Sequence, residues 1–186
     1  MSPGSHLLAS WLLANSFKLA HRERRIITLC GLAPDLDGVG WVLDRVNQWR
    51  GTSSDYFFLW HHQVGHNLLA SLIIALVASA LAHTHKRLVF GLAVLVVHLH
   101  LVCDLIGSKG PDGYHWPIPW LMPFNRNLVW VWSGQWELHA WQNSAITLLM
   151  LAVACVLGWK QRYSFVEVLS LKLDRAFFQM LTRYGW

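Results

Sequence analysis

The chain has 186 residues, of which 54% are hydrophobic and 13% charged, with 12 Trp, a mean hydropathy of +0.34 and a net charge of +5. Ordinary soluble domains carry about 25% charged residues, and a disordered chain needs low hydrophobicity with high charge. The composition excludes disorder, argues against a water-soluble enzyme, and reads as one membrane-embedded domain over residues 1–186.

Residues 1–6 hold no basic residue ahead of the first apolar stretch, so no cleavable signal is expected. Residues 7–19 predict a short helix capped by Ser5. A basic cluster (Lys18, His21, Arg22, Arg24, Arg25) leads into a second short apolar run, residues 26–33, ended by Pro34. Each run is too short to cross a bilayer alone. Residues 35–60 read as a loop with one helical piece, 39–49. Three longer spans are expected at 67–82, 88–106 and 141–159. Between the last two, residues 107–138 are rich in Gly, Pro and Trp and read as an irregular interfacial segment. Residues 163–186 alternate charges with Leu and Phe, as an amphipathic surface helix does. The expected fold is all-α: an integral membrane helical bundle with three longer spans, two short N-terminal helices and a C-terminal amphipathic helix. Cys30, Cys103 and Cys155 form no CxxC pair and read as small buried hydrophobes.

Following the spans sorts the charges onto two ends. One end gathers eleven basic residues, among them Arg24, Lys86, Arg87, Lys160 and Arg175, against Glu23, Glu167 and Asp174, a balance of +8. The other gathers Arg45, Arg50, Lys109 and Arg126 against Asp35, Asp37, Asp44, Asp55, Asp104, Asp112 and Glu137, a balance of −3. The positive-inside rule puts the basic end in the cytoplasm and the acidic end outside, in the periplasm of a two-membrane bacterium. Eight Trp between positions 49 and 141 fall on the acidic side, as an aromatic belt would. Topology thus accounts for the net charge, and no nucleic-acid partner is expected.

The acidic end also collects histidines. His6 opens the first helix, Asp35 and Asp37 follow Pro34, His61, His62 and His66 precede the third helix, and His100 and Asp104 close the fourth. His115 lies in the loop beyond. In an extended turn, Asp35 and Asp37 would point the same way. His100 and Asp104 are i,i+4 and share a helix face. His61 and His66 can share a metal only if His61 precedes the helix. Ionisable groups inside an apolar run are costly, so His100 and Asp104 read as functional. His98, His21 and His139 read as structural, and Asp44 and Asp55 as solvated loop charges. The donor set suits zinc or another borderline divalent metal, and the surplus of ligands suits two ions sharing a water nucleophile.

These motifs resemble the bacterial membrane-bound metal-dependent hydrolase family, which includes the LexA-regulated inner-membrane hydrolases. The matching stretches are Pro3-Gly-Ser-His6-Leu-Leu, Leu32-Ala-Pro-Asp35-Leu-Asp37, His61-His-Gln-Val-Gly-His66-Asn-Leu-Leu, and His100-Leu-Val-Cys-Asp104 followed by Gly110 and Trp116-Pro117. The resemblance covers residues 1–125, with all motifs in order. It implies an integral membrane helical protein with metal-dependent hydrolase activity, and it favours His61 over His62 as the partner of His66. The chain departs from the family at His62, Gln63, Gly65 and Asn67, where Arg, Gly, Thr and Ser are usual, and at Gly107, where Thr is usual.

The expected function is a hydrolase in the cytoplasmic membrane, with its site facing the periplasm and one or two divalent ions, zinc first, held by His6, Asp35, Asp37, His61, His66, His100 and Asp104. Asp37 is an alternative proton acceptor. His62 or His115 would stabilise developing negative charge. A lipid or lipid-linked phosphoester is the expected substrate class, from the site's position at the bilayer surface. The alternative is a non-catalytic membrane protein with a structural or transported metal.

Overall fold

Apolar runs punctuated by Pro, Gly and charged turns give a chain of helices and one long irregular rim. A computed structural model describes residues 1–110 and 113–183; Asp112, counted above with the acidic end, lies outside them, as do 184–186. In chain order the elements are α1 (Pro3–Asn15), α2 (His21–Cys30), a 3-10 segment (Ala33–Val39), α3 (Gly40–Trp49), α4 (Tyr56–Trp60), α5 (Leu68–Leu81), α6 (Lys86–Gly107), α7 (Trp141–Gln161), a 3-10 turn (Phe165–Val168) and α8 (Leu171–Arg183). The described residues hold no strand, only the isolated bridges Lys109–Glu137 and Ile118–Trp130. The fold is all-α, as expected.

Two helices, α6 and α7, are long and apolar enough to cross a membrane. The stretch expected as the first long span is the 14-residue α5, shorter than a bilayer requires alone. Instead, α2 together with residues 33–49 forms a third candidate span, broken by a 47° bend. Pro34 and the 3-10 turns around it cause that break.

Small residues let the helices approach closely. Ser71, Ala75, Ala78 and Ala82 run down one side of α5 and its C-cap, and all are buried. They pack with Val89, Ala93 and Val96 of α6, Ile27 of α2 and Ala14 of α1. The opposite side of α5 (Ile73, Leu76, Val77) is apolar and exposed. A second cluster joins Leu8 and Trp11 of α1 to Ala154 of α7 and Val168. Only 17% of the apolar window of α7 is buried, so most of its surface meets lipid.

The helix ends differ from the sequence reading at several points. Helix α1 starts earlier than expected, with Ser2 rather than Ser5 as its cap and Pro3 in the first turn. Helix α2 absorbs the basic cluster, and Glu23 and Arg24 are buried rather than solvated. Glu23 accepts the backbone N–H groups of His83 and Thr84 (3.1 and 3.0 Å), anchoring the α5–α6 turn. Asp44 is no solvated charge either: it accepts Ser54 Oγ and the Tyr56 and Phe57 N–H groups at 2.7–2.9 Å and so holds the start of α4. Cys30 is buried as expected, whereas Cys103 is half-buried and Cys155 exposed on α7. In the tail, Asp174 of α8 reaches back to Ser164 N–H and Oγ (3.0 and 2.7 Å).

Candidate metal centre

Four chain segments bring side chains to one buried point. His6 comes from the first turns of α1, and Asp35 and Asp37 from the 3-10 segment. His61, His62 and His66 come from the turn between α4 and α5, and His100 and Asp104 from the last turns of α6. The turn is held by Gln63 and Val64 N–H donating to the Trp60 carbonyl (3.0 and 3.1 Å). It forces His62 to a φ of 66°. A left-handed backbone costs a residue with a Cβ about 1–2 kcal/mol, and such cost persists where a site needs the side chain it aims. Here it directs His62 into the cluster, where the residue is 1% exposed.

Asp104 is the hub. Its Oδ2 lies 3.0 Å from His100 Nε2, 3.3 Å from His66 Nε2 and 3.7 Å from His62 Nε2. Its Oδ1 lies 3.2 Å from His6 Nε2 and accepts Ser108 Oγ (2.7 Å) and the Met1 amine. The His6 ring stacks on His100 at 3.7 Å. Asp35 Oδ1 stands 3.6 Å from His100 Nε2.

The far edges of three rings are tied down. His100 Nδ1 donates to the Gly31 carbonyl (2.8 Å). His61 Nδ1 and His66 Nδ1 donate to the two oxygens of Asp37 (2.8 and 3.0 Å). A carbonyl or ionised carboxylate can only accept, so Nδ1 carries the proton and Nε2 of the neutral ring presents a lone pair. His66 Nε2 and His100 Nε2 face each other at 3.1 Å, beside an anionic oxygen. Two lone pairs at that distance repel unless a proton or a cation lies between them. Burial alone would push the His66 imidazole down, but the carboxylates of Asp104 and Asp37 outweigh it and raise the group to about 9. Burial, reinforced by neighbouring His66, pushes His62 well below the ordinary range.

The fit to a metal is direct. His6 Nδ1 and Nε2, His62 Nδ1, Asp35 Oδ2 and Asp104 Oδ2 are buried without a hydrogen-bond partner. Unsatisfied buried polar atoms are rare and call for an explanation. The ligand atoms fall into two groups able to hold an ion, His61–His62–His66 and His6–Asp35–His100–Asp104, each within 4.8 Å. They adjoin where His66 meets His100 and Asp104. Asp37 belongs to neither group; both its oxygens serve ring nitrogens, and Oδ2 also accepts Gly65 N–H (2.9 Å). It stands behind His61 and His66, in the position of an outer carboxylate.

Two cavities flank this cluster. The larger, about 510 Å³, is lined by Asp35, Asp104, Lys109 and Glu137 among others. The smaller, about 230 Å³, is lined by Gln63, Tyr114 and Arg126. His61, His62 and Trp116 border both and form the wall between them.

A family model described as YdjM inner membrane protein matches residues 1–180. The chain belongs to the YdjM inner membrane protein family. No curated protein and no solved structure matches it. Membership, with the apolar helices, makes it an inner-membrane protein.

Seven of the nine site residues expected in this YdjM-family chain converge, namely His6, Asp35, His61, His62, His66, His100 and Asp104, and Asp37 stands directly behind them. Asp35 and Asp37 do not lie in an extended turn as expected. They sit two apart in a 3-10 segment, so their carboxylates diverge: Asp37 toward His61 and His66, Asp35 toward His100 and the larger cavity. His62 is inside a ligand group, alongside His61 rather than excluded by it. His115, expected to stabilise charge, stands apart: its Nε2 lies 3.3 Å from the Ser133 carbonyl, and it belongs to neither ligand group. His98 is structural as expected, with Nδ1 donating to the Val94 carbonyl (2.8 Å) and Nε2 accepting Trp120 Nε1 (3.2 Å). Sequence reasoning missed Gly31, Gly65 and Ser108, which act through backbone or hydroxyl groups; the i,i+4 spacing of Asp104 and Ser108 was the one signal for the last.

Proposed function

We propose that the protein is a metal-dependent hydrolase whose site opens to the periplasmic side of the inner membrane. The observation that carries this is the opposition of the His66 and His100 Nε2 atoms across Asp104 Oδ2, with both Nδ1 atoms tied elsewhere. That is a donor set arranged for a divalent cation, and the mix of imidazole and carboxylate suits zinc. Two adjoining groups support two ions, with Asp104 reaching donors of both. Metal there would lower the pKa of a bound water and polarise the scissile bond.

The chain's own groups divide the remaining work. Asp35 has an unpartnered Oδ2 and borders the larger cavity, so it is the group suited to take a proton. Asp37, with both oxygens engaged, serves orientation. His61 and His66 are fixed by Asp37, and His100 by Gly31. The Trp-rich rim and the site's position at the helix ends favour a lipid or lipid-linked phosphoester as substrate.

Metal analysis of purified full-length protein tests the reading. Wild type should carry one or two zinc equivalents, and His66→Ala and Asp104→Ala essentially none; full metal content in both variants would overturn it. Orientation is checked with topology reporters: one after Thr84 should report cytoplasm, and one after His139 periplasm.

A further inference from the structure

The two cavities beside the cluster differ in charge. The larger mixes signs, with Asp35, Asp104 and Glu137 in its wall beside Lys109. Among the described residues, the smaller has no acidic residue in its lining and one formal cation, Arg126. It also offers the Gln63 amide, the Tyr114 hydroxyl and the edges of His61 and His62. The donors Gln63, Tyr114 and Arg126 come from three separate chain passages. No ion pair to Arg126 is found among the described residues, although seven of the chain's ten acidic residues belong to this end. A cavity with no described acid in its wall and a guanidinium without an ion pair among the described residues attracts an anion. Its wall of His61 and His62 is the same wall that edges the ligand cluster.

We propose that the smaller cavity is an anion subsite in which Arg126 binds a phosphoryl group of the substrate, across the His61–His62 wall from the metal cluster. This rests on the hydrolase reading above and deepens it by naming the group that would hold the phosphoryl oxygens of the phosphoester. The guanidinium fork matches phosphate oxygens two at a time. Donors from several directions suit a tetrahedral group better than a planar carboxylate. Arg126 is exposed and lies on the rim, outside both ligand groups, so it acts on substrate binding and not on metal binding.

The test is calorimetric titration of inorganic phosphate into full-length protein in detergent, with and without zinc. Arg126→Gln should weaken phosphate binding roughly 10- to 100-fold, the worth of one charge-assisted hydrogen bond, while zinc content stays at the wild-type level. Arg126→Lys should recover part of the loss. Equal phosphate affinity in wild type and Arg126→Gln would overturn the proposal and leave the metal reading standing. Acetate binding as tightly as phosphate would overturn the phosphate assignment. If the wild type takes up no zinc, the hydrolase reading falls, and the zinc-free comparison of wild type with Arg126→Gln still decides the subsite. A short-chain phosphatidic acid arm distinguishes sources: tighter, Arg126-dependent binding than phosphate identifies a lipid headgroup, and equal Arg126-dependent binding identifies phosphate alone. Binding of the lipid without any dependence on Arg126 counts against the proposal.

Discussion

Two buried polar clusters occupy this small bundle, and they are built to different rules. On α1 they are anchored by Trp11 and His6, five residues and about 7.5 Å apart along the helix. In the Trp11 cluster, Glu167 receives everything it can accept: Arg24 Nε and Trp11 Nε1 (3.2 Å) on Oε1, and an Arg24 terminal nitrogen (2.7 Å) and His21 Nδ1 (2.6 Å) on Oε2. The Arg24 guanidinium also stacks on the Tyr163 ring at 3.8 Å. The cluster is closed, and it staples α1 and α2 to the turn before α8. In the His6 cluster, five buried atoms have no hydrogen-bond partner and the ring lone pairs point at one another. A closed network has no role left for a ligand; an open one at equal burial is held together for something else. The contrast, more than the presence of histidines, singles out the His6 cluster as the candidate site.

Breaking the closed cluster should have the largest effect on stability. Glu167→Ala strands the Arg24 charge in the interior, and loss of one partner of a buried pair costs about 3–5 kcal/mol. Thermal unfolding in detergent should show that loss, with zinc content unchanged in the folded protein. The open cluster should respond in the reverse way. Asp37→Asn keeps the shape but weakens the grip on His61 and His66, and outer-carboxylate changes lower metal affinity by roughly 10- to 100-fold. Competition with a zinc chelator measures it, and the unfolding temperature of the metal-free protein should move far less than in Glu167→Ala. The smallest effect is on acidification. Burial alone would raise the Glu167 carboxyl, but hydrogen bonds from Arg24 and His21 outweigh it and hold the group below its ordinary 4.5. Its stabilisation is therefore fully present above pH 4.5 and is lost as pH falls through the lower folded value. The unfolding temperature of the wild type should drop across that interval, and that of Glu167→Gln should drop less.

Much of this architecture was legible because period and composition report burial directly. The apolar runs located α6 and α7, and the i,i+4 pair His100–Asp104 was readable from helix geometry alone. The errors came where tertiary contacts override local pattern. Arg24 looked like one more cytoplasmic charge, since its partner Glu167 lies 143 positions away. Asp35 and Asp37 looked parallel because period two suggests extended chain, while Pro34 and the crowded turns wound them into a 3-10 segment. His115 reads as a site residue because it is one of the histidines collected at the acidic end, yet it is its neighbour Trp116 that turns toward His61 and His62, with ring centroids 5.2 and 4.9 Å away. The division of labour between Asp37 and Asp35 could not be read from residue type, because it depends on which oxygens are already spoken for.

Gly65 carries a consequence for selectivity. A Cβ there would collide with the Pro34 backbone, coming within 2.9 Å of its Cα. The histidine turn and the aspartate segment thus rest main chain against main chain, with no side chain as a cushion. The spacing between them is set by this hard stop and not by adjustable rotamers. If the cluster holds a cation, as proposed, discrimination by radius would be inherited from the backbone, and one added methyl at position 65 would reset it.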